Sequence, residues 1–362
     1  MRWSPQQEDA LSAVASWLRR GDSPVFRLFG YAGTGKTTLA KHIAADIDGT
    51  VAFAAFTGKA AHVLRSKGCE GAGTIHSLIY RPRAGEDDEQ PVFAINHESA
   101  ASKAELIIID ECSMVDEDLG RDLLSFGTPV LVLGDPAQLP PVKGGGFFTE
   151  APPDHMLTEV HRQAQDNPII RLSMQVRAGE TIDYGEHGES RVISRKEIDA
   201  AQILSADQVL VGTNKTRRLY NQRIRELKGL LSPMPAVGDK LVCLRNDKQK
   251  GLLNGGTWVV SALGAPRKSL LRLSVGPEEG GKTVKVAVHP NFFENGGEDL
   301  SYPQRRNSDE FDYGYALTVH KSQGSQWDDL VLFDESYAFR EHRDRWLYTG
   351  ITRAAEKITI VR

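Results

Sequence analysis

The stretch "VFRLFGYAGTGKTTLA" confines the fold more tightly than any other part of the chain. An apolar run gives way to glycines, a lysine and paired threonines, and a helical pattern follows, so strand, tight turn and helix must succeed one another here. Glycines let backbone N–H groups curl around an anion, and the start of a helix favours negative charge. Gly30, Gly35, Lys36 and Thr37 fit G-x-x-x-x-G-K-[ST], with Gly33 and Thr38 in the same turn. In that pattern Lys36 meets the β and γ phosphates of ATP and Thr37 a Mg²⁺ ion. A glycine turn that only caps a helix would need neither the lysine nor these flanks.

Further apolar runs repeat the theme: "VAFAAFT", "LIIIDE", "VLVLGD", "QVLVGT", "LVLFDE" and "ITIVR". Continuous rather than alternating apolarity indicates strands covered on both faces, as in parallel sheets flanked by helices. At 362 residues the chain exceeds what one core usually supports, so two α/β domains are expected. Two stretches break the rhythm. About residues 79–103, "YRPRAGEDDEQPVFAIN" reads as a protruding hairpin with an acidic tip, and 235–309 alternates apolar and polar residues as a small antiparallel barrel would. The net charge of -4 neither supports nor excludes nucleic acid. Cys69, Cys112 and Cys243 form no CxxC pair, which argues against a zinc site or a disulfide framework and for a reducing compartment. No apolar run is long enough for a membrane span and the start lacks the order of a signal peptide, so the expectation is an intracellular, cytoplasmic protein.

Two more strand ends carry chemistry. "LIIIDECSMVD" delivers Asp110 and Glu111 to the carboxyl end of a buried strand, where open α/β sheets bind ligands. Asp110 would hold Mg²⁺ and Glu111 would orient and deprotonate a water, unless the pair simply caps the next helix. "LVLGDPAQLPPV" places Gln138 in a proline-stiffened loop, where an amide could sense the γ phosphate.

Taken in order, "GYAGTGKT", "FTGKAA", "TIHSLIY", "IIDECSM", "GDPAQLPPV", "EVHRQ", "LTVHKSQGSQWD" and "YTGITRA" resemble the motifs of superfamily 1 helicases of the RecD-like, Dda-type branch, over nearly the whole chain. The resemblance implies two RecA-like P-loop NTPase domains, residues 1–157 and 158–234 with 310–362. The hairpin would then be a strand-splitting pin and 235–309 an SH3-like β-barrel. It further implies an ATP-dependent helicase that moves 5′-to-3′ on single-stranded DNA as a monomer, in bacterial or phage replication, repair or recombination. Its partners would be single-stranded DNA and junctions of single- and double-stranded DNA, with single-strand-binding or replication/recombination proteins alongside. By position, Arg162 and Arg353 match the arginine fingers, and Gln7 the adenine-reading glutamine, with Gln6 alongside. Thr57, Lys59, Thr74, His76, Asn214, Lys215, Thr318, His320 and Lys321 match residues along the DNA strand. Their hydroxyl, imidazole, amide and ammonium groups suit phosphate rather than base-edge contact. "NKTRRLYNQRIRELK" adds a local basic patch. Two departures stand out. The pin tip "AGEDDEQ" is acidic and lacks an aromatic wedge, and Gln326 stands where many superfamily 1 members carry glutamate. A DNA-stimulated ATPase that remodels nucleoprotein without separating strands, or a nucleotide-gated subunit of a recombination complex, are the competing readings.

Overall fold

The computed structural model describes residues 3–83, 92–140, 146–160, 166–247, 250–278 and 280–362. The chain divides into two compact units, Met1–Glu180 and Thr181–Arg362.

The first unit holds strands β1 (Val25–Gly30), β2 (Val51–Ala55), β3 (Gly73–Thr74), β4 (Tyr80–Arg83), β5 (Val92–Ile95), β6 (Leu106–Asp110), β7 (Val130–Gly134) and β8 (His155–Leu157). Six of them form one parallel sheet in the order β3-β2-β6-β7-β1-β8. Successive residues of each strand feed opposite cores. Phe29, Ile107, Ile109, Val130 and Val132 lie in one cluster, while Phe26, Leu28, Leu106, Ile108, Leu131 and Leu133 lie in the other. That two-sided burial is why the runs are apolar throughout, and each large aliphatic so buried stabilises by about 1.5–3 kcal/mol. β4 and β5 make a separate antiparallel pair with Tyr80 opposite Ile95. The acidic tip between them lies outside the described residues.

The second unit contributes β9 (Gly185–His187), β10 (Ser190–Ile193), β11 (Gln208–Val211), β12 (Lys240–Cys243), β13 (Thr257–Arg267), β14 (Leu270–Pro277), β15 (Val284–Val288), β16 (Phe311–Tyr313), β17 (Ala316–Thr318), β18 (Trp327–Phe333) and β19 (Ala354–Val361). A six-stranded sheet runs β17-β11-β18-β19-β10-β9, parallel except for the β9–β10 pair. The segment read as a barrel supplies a second sheet, antiparallel, in the order β15-β14-β13-β12-β16. Its fifth strand, Phe311–Tyr313, lies beyond residue 309, because three residues are too few to show an alternation. The chain enters this sheet after β11 and leaves it before β17, and those two strands pair with each other, Val209 with Ala316.

Among the described residues no helix is long and apolar enough to cross a membrane. The three cysteines are buried thiols.

Candidate functional site

In the first unit β1 ends at Gly30 and the Lys36–Ala45 helix begins six residues later. Gly33 and Gly35 take φ of 79° and 82°, left-handed values that strain any other residue. A Cβ on Gly30 would meet Leu157 Cβ at 2.8 Å. The Lys36 ammonium donates to the carbonyls of Gly30 at 2.6 Å and Tyr31 at 3.0 Å, which hold it in place without neutralising it. Thr38 follows on the exposed side of the first helical turn.

The Thr37 hydroxyl donates to Asp110 Oδ2 at 3.1 Å, so β1 and β6 deliver one motif residue each to the same spot. Asp110 Oδ1 accepts the Glu111 N–H at 2.8 Å. Glu111 itself sits at φ 53°, ψ 47°, a left-handed conformation that costs a non-glycine residue ~1–2 kcal/mol. Backbone strain of this kind persists where a side chain must be aimed. Burial raises the Asp110 pKa and the neighbouring Glu111 charge raises it further. Lys36, the Glu111 N–H and the Thr37 hydroxyl offset that only in part. A hydroxyl beside an under-neutralised carboxylate is a donor set that fits a hard divalent cation. Among the described residues no cluster of three or more His, Cys, Asp or Glu could cage a metal, so water and phosphate would complete the shell.

Gln138 follows β7, buried to 8% exposure, its N–H on the Asp135 carbonyl at 3.1 Å. Gly134 is glycine because a Cβ there would meet Cys112 Sγ at 2.8 Å, which lets this loop lie against the turn after Glu111. The two glutamines of "SPQQED" separate cleanly. Gln7 is 2% exposed, closes the capping box with Ser4 and donates from Nε2 to the Thr34 carbonyl at 3.1 Å. Gln6 instead binds the chain after β8, accepting from Thr158 N and Glu159 N at 2.8 and 2.9 Å. Arg162 lies outside the described residues.

Several residues matched to a DNA track already have local work. Thr57 caps the Gly58–Ser66 helix through Ala60 N, and Thr74 caps Ile75–Ile79 through Ser77 N, both at 3.1 Å. Lys59 is 7% exposed. His76 sits between the rings of Phe56 and Tyr80, its pKa lowered by desolvation against the pull of Asp116.

In the second unit Thr318 Oγ1 accepts from Lys321 N at 3.3 Å. Burial lowers the Lys321 pKa and the Arg217 charge adds to it, opposed by Asp312 among others. His320 lies 5.3 Å from the Phe339 ring, which stacks on Trp346, and burial lowers its pKa with help from His342. Asn214 and Lys215 are exposed on the first turn of the Asn214–Leu227 helix. The basic patch on that helix is largely compensated. Arg217 pairs with Asp312 and Arg225 with Asp239, both buried, and Arg218 pairs with Glu298 and Arg223 with Glu226 at the surface. Breaking a buried pair costs about 3–5 kcal/mol, whereas an exposed pair contributes under about 1 kcal/mol, so Arg217 and Arg225 serve the fold. Arg353 is 3% exposed, with its guanidinium donating to Thr349 O, Ser325 O and Thr352 Oγ1 at 3.2, 3.5 and 3.3 Å.

One residue no motif pointed to is Glu335. Its carboxylate accepts from Gly212 N at 2.6 Å, Thr213 N at 3.3 Å and Thr216 Oγ1 at 2.8 Å, fixing the turn that opens the helix of Asn214 and Lys215. A Cβ on Gly212 would stand 2.7 Å from Glu335 Cβ. The only sequence signal was an acidic residue at the end of an apolar run, as at Glu111.

Residues 2–195 match the AAA domain family and residues 313–361 the UvrD-like helicase C-terminal domain. The chain is 30% identical to the ATP-dependent RecD2 DNA helicase of Deinococcus radiodurans, over 91% of this chain and 46% of that protein, so it spans less than half the length of that relative. The ATP-dependent DNA helicase Pif1 of Bdellovibrio bacteriovorus is 25% identical over 90% of this chain and 81% of its own. A crystal structure of Pif1 helicase from Bacteroides in complex with ADP-AlF3 and ssDNA superposes with a TM-score of 0.58 at 19% identity. It covers 99% of this chain and 92% of that one, and so shows the same fold.

Proposed function

The chain belongs to the AAA domain family, and on that premise we propose that it is an ATP-dependent DNA helicase of the RecD-like type, translocating on single-stranded DNA 5′-to-3′ and coupling hydrolysis to duplex unwinding. The observation that carries the reading is the convergence of Lys36, Thr37, Asp110 and Glu111 at the carboxyl ends of two strands of one parallel sheet, tied by the Thr37–Asp110 hydrogen bond of 3.1 Å.

In this reading the phosphate loop cradles ATP, and Lys36 leaves the Gly30 and Tyr31 carbonyls for the β and γ phosphates. Thr37 and Asp110 would hold Mg²⁺, which supplies charge neutralisation on the transferred phosphoryl group. Glu111, aimed by its strained backbone, orients the attacking water and takes its proton. Gln138 senses the γ phosphate, and Gly30, Gly33, Gly35 and Thr38 line the loop. Gln7 reads the base side from beneath Thr34. Arg162 and Arg353 act as arginine fingers, for which Arg353 must exchange three internal hydrogen bonds for phosphate oxygens. Asn214, Lys215, His320, Lys321, Thr318, Thr57, Lys59, Thr74 and His76 lie along the DNA strand. The proposed domains are residues 1–157 with the 79–103 hairpin as pin, 158–234 with 310–362, and 235–309 as an SH3-like insertion. The protein would act as an intracellular monomer alongside single-strand-binding or replication proteins.

Partial duplexes carrying either a 5′ or a 3′ single-stranded tail test this in one experiment, with ATP and Mg²⁺. Strand displacement from the 5′-tailed substrate alone is the expected outcome. DNA-stimulated phosphate release with no displaced strand would replace the helicase with a translocating or remodelling ATPase.

A further inference from the structure

Tyr31, the residue after Gly30 in the phosphate loop, organises two cations. Its carbonyl accepts from the Lys36 ammonium at 3.0 Å, and from the Thr34 hydroxyl at 2.9 Å. Its ring carries the guanidinium of Arg177, whose Cζ lies 3.5 Å from the ring centroid. Arg177 is the last residue of the Pro168–Arg177 helix, more than 140 positions along the chain, and belongs to none of the motifs above.

The guanidinium is otherwise poorly served. Among the described residues its Nη1 is buried with no hydrogen-bond partner, and Arg177 forms no ion pair with a carboxylate. An orphaned buried donor costs about 1–3 kcal/mol, and more when it is charged, so a fold that keeps one at a ligand site gains by it elsewhere. Face-to-ring packing sets the plane of the guanidinium, and a flat fork of N–H donors matches phosphate oxygens. The arrangement therefore offers a second positive group, already oriented, beside a loop whose glycines and lysine are built for phosphate.

The geometry points to Arg177 as a further nucleotide-binding residue, held on the Tyr31 ring to contact the phosphates of ATP. The inference rests on the reading of Lys36 and its loop as the nucleotide site.

The test is titration of a fluorescent ATP analogue, with Mg²⁺, against the full chain and its variants, beside a thermal melt of each. Arg177→Ala is expected to weaken binding by about tenfold or more with an unchanged melting temperature, the scale of one charge-assisted contact. Arg177→Lys keeps the charge and recovers part of the loss, while Arg177→Gln keeps a planar amide and recovers none. Tyr31→Leu, which removes the platform, lowers affinity as Arg177→Ala does, and Tyr31→Phe, which keeps a ring under the guanidinium, lowers it less. If Arg177→Gln binds as tightly as the unaltered protein, or if weaker binding tracks a lower melting temperature across the set, the phosphate contact is overturned and Arg177 only packs. If the unaltered protein and Lys36→Ala bind the analogue equally poorly, it is the nucleotide reading itself that fails.

Discussion

The candidate nucleotide site of the first unit and the buried ion pairs of the second treat charge in opposite ways. At the carboxyl end of the first sheet Lys36 rests on carbonyls, Arg177 on a ring, and Asp110 and Glu111 crowd each other with a raised Asp110 pKa. In the second unit Arg217, Arg225, Lys240, Lys250 and Arg362 each meet a carboxylate within 3.0 Å. Uncompensated charge is tolerated where a charged ligand will complete it, and compensated charge holds a scaffold. Removing Lys36 or Glu111 should therefore cost activity and leave stability, and removing an arginine of the buried second-unit pairs should do the reverse.

The sharpest break would come from Lys36→Ala, expected to reduce DNA-stimulated phosphate release by about 10³-fold, with Glu111→Gln close behind, and to leave the melting temperature in place. A drop in stability equal to that of a core variant would erase the contrast. Next in size is Arg225→Ala. Arg225 grips Asp239 through two N–H groups at 2.9 and 3.0 Å, and stripping it away leaves a buried carboxylate that, among the described residues, only Tyr315 and Ala236 still serve. Chemical denaturation of the full chain should show a loss of about 3 kcal/mol or more, with nucleotide affinity under native conditions unaffected. Gly212→Ala is intermediate. The new methyl group collides with Glu335, and a shift of about 1–3 kcal/mol in stability is expected together with weaker single-stranded DNA binding, read by fluorescence anisotropy.

Smaller effects probe the same divide by titration. Because burial and Glu111 raise the Asp110 pKa, its ionised form destabilises the free protein at neutral pH. Asp110→Asn should then raise the melting temperature without nucleotide or metal while abolishing Mg²⁺-dependent hydrolysis. His320 has the opposite chemistry. Burial lowers its pKa, so the neutral ring suits the fold above about pH 6.5, and stability is lost as pH falls from there through the lowered value. His320→Asn should flatten that part of the stability profile, measured by urea unfolding between neutral and mildly acid pH.

The candidate nucleotide site could be picked out because its residues sit at the ends of apolar runs, and a buried parallel strand can place a polar side chain only where it leaves the sheet. Val25–Gly30, Leu106–Asp110 and Val130–Gly134 each end in a motif for that reason. The strand His155–Leu157 was not legible, since three residues carry no period, yet it is the strand whose Leu157 forbids a side chain on Gly30. Gln6 and Gln7 could not be told apart by type; helix phase sends one to the Thr34 carbonyl and the other to the chain after His155–Leu157. Nor could the arginines of Asn214–Leu227 be sorted, because their carboxylates lie up to 95 residues away. Arg177 and Glu335 escaped notice on the same ground: each acts on a turn more than 100 positions distant, and distance along the chain erases the pattern.

Glu335 has one more effect. Helix beginnings attract anions, and the one bearing Asn214 and Lys215 already holds a carboxylate of its own. On the proposed reading, a sugar-phosphate chain passing there would find that berth taken and meet the two exposed side chains instead. Such a grip would be shallow and quickly undone, as a motor that must let go at every stride would require.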